Sequence, residues 1–139
     1  MFMLKTWIAY ANTNKFDAIN CFRTLQHSNW KMGNRHFSVG DIVYFYVSSE
    51  RKVMFKSRVV AINLYQNEWD DDEYWSEKEK KKAKGKARMV LSDLVEYCGE
   101  ELNEECLRQY GFPEKKSSLQ QPVYGGSYSS CIKYIRSKF

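Results

Sequence analysis

Several features that would mark a catalyst are missing from this chain. Its four cysteines, Cys21, Cys98, Cys106 and Cys131, form no C-x-x-C pair and have no histidine at ligand spacing, which excludes the usual zinc and dithiol motifs. They are expected as reduced thiols of a cytoplasmic protein. Only two histidines occur, His27 and His36, and no serine or cysteine near either in sequence suggests a nucleophile–base pair. Gly125-Gly126 and the lone Gly85 make neither a G-x-G-x-x-G turn nor a phosphate loop, so no nucleotide cofactor is expected. The acidic block Asp70-Asp71-Asp72-Glu73 lacks the alternating ligands and the glycine of a calcium loop, and it is read as a solvated charge run without a metal. No apolar stretch approaches the roughly eighteen residues of a membrane span, and the N-terminus enters a strand pattern without a signal sequence. A binding protein rather than an enzyme is the expectation.

What the chain does hold is aromatic side chains and a small excess of positive charge. Its 139 residues suit one domain, expected over 1–139. Ten tyrosines, eight phenylalanines and four tryptophans make it 16% aromatic, more than packing of so short a chain needs. The net charge of +5 favours a polyanionic partner.

Along the chain, residues 2–11 read as a buried strand and Asn12-Thr13-Asn14 as a turn, with Asn14 able to cap a helix over 15–26. Residues 28–41 read as a loop holding at most one short strand. Residues 42–47 and 53–65 are β-branched and aromatic runs that form a central hairpin. Residues 68–86, acidic and then lysine-rich without apolar periodicity, read as a mobile surface loop, with Trp69, Tyr74 and Trp75 as latches onto the domain. A strand over 88–97, a short capped helix from Asn103 to a glycine stop at Gly111, and a terminal helix over 129–138 complete an α+β pattern: a bent sheet or small β-barrel with flanking helices.

Recognition of a nucleic acid base needs aromatic faces for stacking, hydrogen bonds to the base edge and cations on the phosphates. Trp30 lies in a polar segment beside Lys31, Asn34, Arg35 and His36, and fits either a pocket wall or a cap on the core. Tyr44 and Tyr46 share one face of a strand and are pocket candidates, whereas Phe45 faces the other way into the core. Lys80, Lys81 and Lys82 add affinity for phosphates without reading bases, if they do more than meet solvent.

The segment from Trp30 to Ser48, with its Val39-Gly40-Asp41 turn leading into Ile42-Val43-Tyr44-Phe45-Tyr46, resembles the EVE domains of the PUA-like superfamily, which are related to YTH and ASCH domains. The specific likeness covers residues 30–62, and the order of elements fits through most of the chain. In the turn, glycine permits tight entry into the strand and aspartate bonds backbone donors. The resemblance implies a PUA-like fold and a reader of a modified base in DNA, flipped into an aromatic pocket. Trp30 would be a pocket wall, with Asn34 and Arg35 as edge or phosphate contacts. It also implies the setting of a modification-dependent restriction system with a nuclease partner. An RNA-binding PUA-like module is the alternative, as is a protein-interaction domain using residues 68–75. On the pocket reading, Trp30→Ala is expected to abolish discrimination and spare the fold.

Overall fold

The computed structural model describes residues 4–113, 122–123 and 129–139. The strands are β1 (Thr6–Ala11), β2 (Ser28–Lys31), β3 (Ile42–Val47), β4 (Lys52–Leu64), β5 (Arg88–Glu96) and the two-residue β6 (Pro122–Val123). The helices are α1 (Ala18–Leu25), α2 (Glu77–Ala83), α3 (Glu104–Arg108) and α4 (Ser129–Arg136). The strands form one mixed sheet in the order β2-β5-β4-β3-β1-β6 that curls into half a barrel, as expected of a bent sheet with flanking helices.

β3 and β4 form the antiparallel hairpin, and β1 lies parallel to β3, with Trp7 beside Val43 and Ala9 beside Phe45. Both faces of the centre are covered, as the continuous apolar run of β3 requires. On one face Trp7, Phe45, Phe55, Met89 and Leu91 pack beneath α1, whose Cys21 and Phe22 point inward. On the other, Ile8, Tyr44, Tyr46 and Val53 pack against Leu107 of α3 and Ile132 and Ile135 of α4. The register slips between Phe45 and Tyr46, where Phe45 pairs with Phe55 and Tyr46 with Val53. The bulge explains how the consecutive residues Met54 and Phe55 both enter the first core.

The Gly40-Asp41 turn leads into β3 and is bonded to the start of β1. Gly40 has φ +98°, and a Cβ there would stand 3.1 Å from the side chain of Leu4. Asp41 is fully buried, and its carboxylate accepts the backbone N–H groups of Lys5 and Ser38 and the indole N–H of Trp7, each at 2.9 Å.

The one short strand allowed for within 28–41 is β2, paired with β5, because Trp30 and Met32 have core to meet on that face. Two local expectations are corrected. The helix starts at Ala18 with Asp17 as its N-cap, and Asn14 stays in the preceding turn. Residues 68–86 are no mobile loop: Asp72–Tyr74 form a turn of 3-10 helix, and 77–83 form α2. Ser76 caps α2 by accepting the N–H of Glu79 at 3.2 Å, acidic residues open the helix and lysines close it, and Ala83 is buried. Ser76-Glu77-Lys78-Glu79 is the capping-box spacing, a signal present in the sequence.

Candidate nucleic-acid interface

The acidic segment is fastened to the domain by its own charges. Asp71 is fully buried and accepts three hydrogen bonds, from the backbone N–H of Asn29 at 2.8 Å, the Asn29 amide at 2.9 Å and the indole N–H of Trp75 at 3.0 Å. Asp70 takes the other proton of the Asn29 amide at 2.8 Å and lies 2.6 Å from His27 Nε2. The backbone N–H of Asp17 donates to Tyr74 and that of Ser76 to Lys15. The reading of 70–73 as a solvated run fails at Asp71, two of whose three hydrogen bonds come from Asn29, far away in sequence. Trp69 and Trp75 do latch the segment: the Arg88 guanidinium stacks 4.7 Å from the Trp69 ring, and Trp75 stacks on Phe16 at 4.1 Å.

This docking builds one side of an open cleft of about 700 Å³. Phe16, Trp30 and Trp75 line it as a contiguous aromatic group, the ring centres of Phe16 and Trp30 lying 5.8 Å apart and those of Trp30 and Trp75 5.6 Å. Tyr65, just past β4, also lines it and is 67% exposed. Lys15, Lys31, Arg35 and Lys86 contribute positive charge to the same cleft, and Asn34 adds an amide. Glu79 is the carboxylate among the lining residues. Its side chain is 6% exposed, and its ionisation is held below the usual glutamate range by the hydrogen bond from Lys31 at 2.8 Å, against the opposing effect of burial.

The candidate residues divide accordingly. Trp30 borders the cleft and also belongs to the core, at 7% exposure. Lys31, Asn34 and Arg35 join it at the cleft, whereas His36 is exposed and outside the lining. Tyr44 and Tyr46 are not pocket walls beside Trp30. They do share a face, but it is the opposite one, where α3 and α4 bury them to 1% and 2% and desolvation raises their hydroxyl pKa values, Tyr46 to about 12. Lys80 pairs with Glu77 at 2.7 Å and Lys82 lies 3.7 Å from Glu79, while Lys81 is exposed on α2. Sequence reasoning missed Lys15, Phe16, Tyr65 and Glu79 as neighbours of Trp30, because the chain brings them from three separate segments.

Among the described residues no group of three or more His, Cys, Asp or Glu side chains is placed to hold a metal ion. The four cysteines are free thiols, and burial raises the pKa of Cys21 and Cys131 well above the usual thiol value. No helix among the described residues is long and apolar enough to cross a membrane.

No protein-family model and no curated protein matches the chain. Solved structures do match in fold. A hypothetical protein from Leishmania major shares 21% identity over 97% of this chain and 94% of its own, with a TM-score of 0.57. A protein from Pseudomonas putida shares 17% identity over 93% and 98%, with a TM-score of 0.55. A protein from Agrobacterium tumefaciens shares 14% identity over 94% and 92%, with a TM-score of 0.52. At these identities the likeness is one of fold, and it extends over nearly the whole length of each chain.

Proposed function

We propose that the chain is a nucleic-acid-binding module that takes one flipped base, carrying a modification, into the cleft beside Trp30 and Trp75. The observation that carries this reading is the cleft itself: an aromatic group at its wall, an exposed Tyr65, and cationic side chains around a single buried carboxylate. Its volume of about 700 Å³ falls within the roughly 300–1,000 Å³ of sites for small flat ligands. Stacking supplies affinity for any base, and the cations neutralise the flanking phosphates. The choice of a modified base, of DNA over RNA and of a restriction setting with a nuclease partner rests on the resemblance of residues 30–62 to EVE domains. The protein-interaction alternative loses support, since Trp69, Asp71 and Trp75 are spent on holding their own segment to the domain.

The test is a panel of single-stranded and duplex DNA and RNA, with and without 5-substituted cytosine or N6-methyladenine, titrated at several salt concentrations. The expected result is at least tenfold tighter binding, about 1.4 kcal/mol, to a modified DNA than to its unmodified counterpart. A preference for RNA favours the RNA-binding module. Equal affinity for every strand, falling with salt alone, rejects base reading.

A further inference from the structure

We propose that Lys15, Lys31 and Lys82, gathered around the buried Glu79 carboxylate at the edge of the cleft, seat a backbone phosphate flanking the inserted base. In this arrangement Glu79 is the counter-charge that limits how strongly they hold it. The inference rests on the reading of the cleft as a base site and adds to it a second, separable point of recognition.

The three lysines come from three places: Lys15 precedes α1, Lys31 ends β2 and Lys82 lies on α2. Their ammonium groups converge on one carboxylate. Lys31 Nζ is 2.8 Å from Glu79 Oε2, and Lys15 and Lys82 Nζ each lie 3.7 Å from Oε1. Oε1 accepts no hydrogen bond, so two of the ammoniums are held by charge alone at a distance beyond hydrogen bonding. The framework beneath them is fixed. Ser76 caps α2 with the backbone of Glu79 itself, and the N–H of Ser76 donates to the carbonyl of Lys15 at 2.9 Å.

One negative charge facing three positive ones leaves a local surplus of two. Lys15 and Lys82 are each 52% exposed, so that surplus is presented to solvent; Lys15, Lys31 and Glu79 line the cleft with Lys86 and Arg35, and Lys82 is tied to it through Glu79. A freely solvated lysine run spreads its like charges apart. Here two long side chains are drawn toward one point, which an added anion would stabilise. Phosphate, with acceptor oxygens in several directions, suits three ammonium donors arriving from different segments. A phosphate so placed is repelled by Glu79, which therefore works against it.

The two kinds of substitution thus have opposite signs, which a merely structural role would not give. The probe is a single-stranded DNA carrying one 5-methylcytosine, compared with the same strand whose two phosphates flanking that base are replaced by uncharged methylphosphonates. A free 5-methyldeoxycytidine monophosphate is run in parallel to separate a nucleotide ligand from a strand. The native protein is expected to bind the charged strand roughly tenfold more tightly than the neutral one and the mononucleotide least. Lys15→Ala, at an exposed side chain, weakens binding to the charged strand several-fold and leaves the neutral one alone. Glu79→Gln strengthens binding to the charged strand several-fold and steepens the slope of log affinity against log salt by about 0.7, one single-strand phosphate. Binding that shows a base preference, yet does not differ between the two strands or responds to Lys15→Ala equally on both, overturns this inference alone. Weaker or unchanged binding by a folded Glu79→Gln also overturns it. Tightest binding to the mononucleotide overturns the strand phosphate as its source. No binding to either strand overturns it together with the reading of the cleft as a site for 5-methylcytosine.

Discussion

Trp30→Ala lowers the stability of the fold by about 3–5 kcal/mol, the cost of truncating a well-packed core tryptophan. Trp30 is 7% exposed, and its ring meets Phe45 edge-on at 5.0 Å and Phe16 at 5.8 Å, with Trp75 at 5.6 Å. Removing it opens a space among three rings held by separate segments, none of which can move in without breaking other contacts. The expectation that this variant spares the fold is therefore reversed. The structure answers the choice between core cap and cleft wall with both positions at once, so loss of binding in this variant alone says little about recognition. Equilibrium unfolding in denaturant measures the effect, and a loss below about 1 kcal/mol contradicts the packing described.

Asp41→Ala is expected to cost a comparable amount, about 3–5 kcal/mol. Three donors, the N–H groups of Lys5 and Ser38 and the indole of Trp7, lose their acceptor in a place without solvent, and each unpaired buried group costs about 1–3 kcal/mol. The carboxylate ties the start of β1 to the turn that begins β3, so the damage falls on the parallel pairing at the centre of the sheet. Asp41→Asn keeps the shape but sets an amide NH2 against at least one of these donors, and a smaller loss follows. Thermal unfolding of both variants checks the ranking, and equal stability of Asp41→Ala and the native protein refutes the role of the turn.

What could be read from the sequence was local. The β3–β4 hairpin, α1, the Asn103-capped α3 and the final helix follow from spacing and turn residues, and all lie where the periodicity puts them to within a few residues. The Gly40-Asp41 turn was legible as a turn, but the reach of Asp41 to Trp7 was not, since the two are 34 residues apart. Alternation placed Tyr44 and Tyr46 together on one face correctly. It could not say which face carries the cleft, because that depends on where α3 and α4 dock. The segment 68–86 was the main misreading, for the same reason. A run of charges looks solvated when its partners are invisible, and those of Asp71 and Glu79 are Asn29, Lys31 and Lys15 on other elements. The aromatic group of the cleft suffered likewise: Phe16 and Trp75 meet only because the acidic segment folds back across the start of α1.

The central claim is that a flat ring stacks in this cleft, and Tyr65→Ala tests it most directly. Tyr65 lines the cleft and is 67% exposed, so its removal leaves the core untouched and any effect on binding reports recognition. Base–aromatic stacking contributes roughly 1–3 kcal/mol per base. Titration with the modified strand that the native protein binds most tightly should show affinity reduced by roughly 5- to 150-fold, with an unchanged melting temperature and an unchanged salt slope. Native affinity and native base preference in a Tyr65→Ala protein of native stability would contradict it.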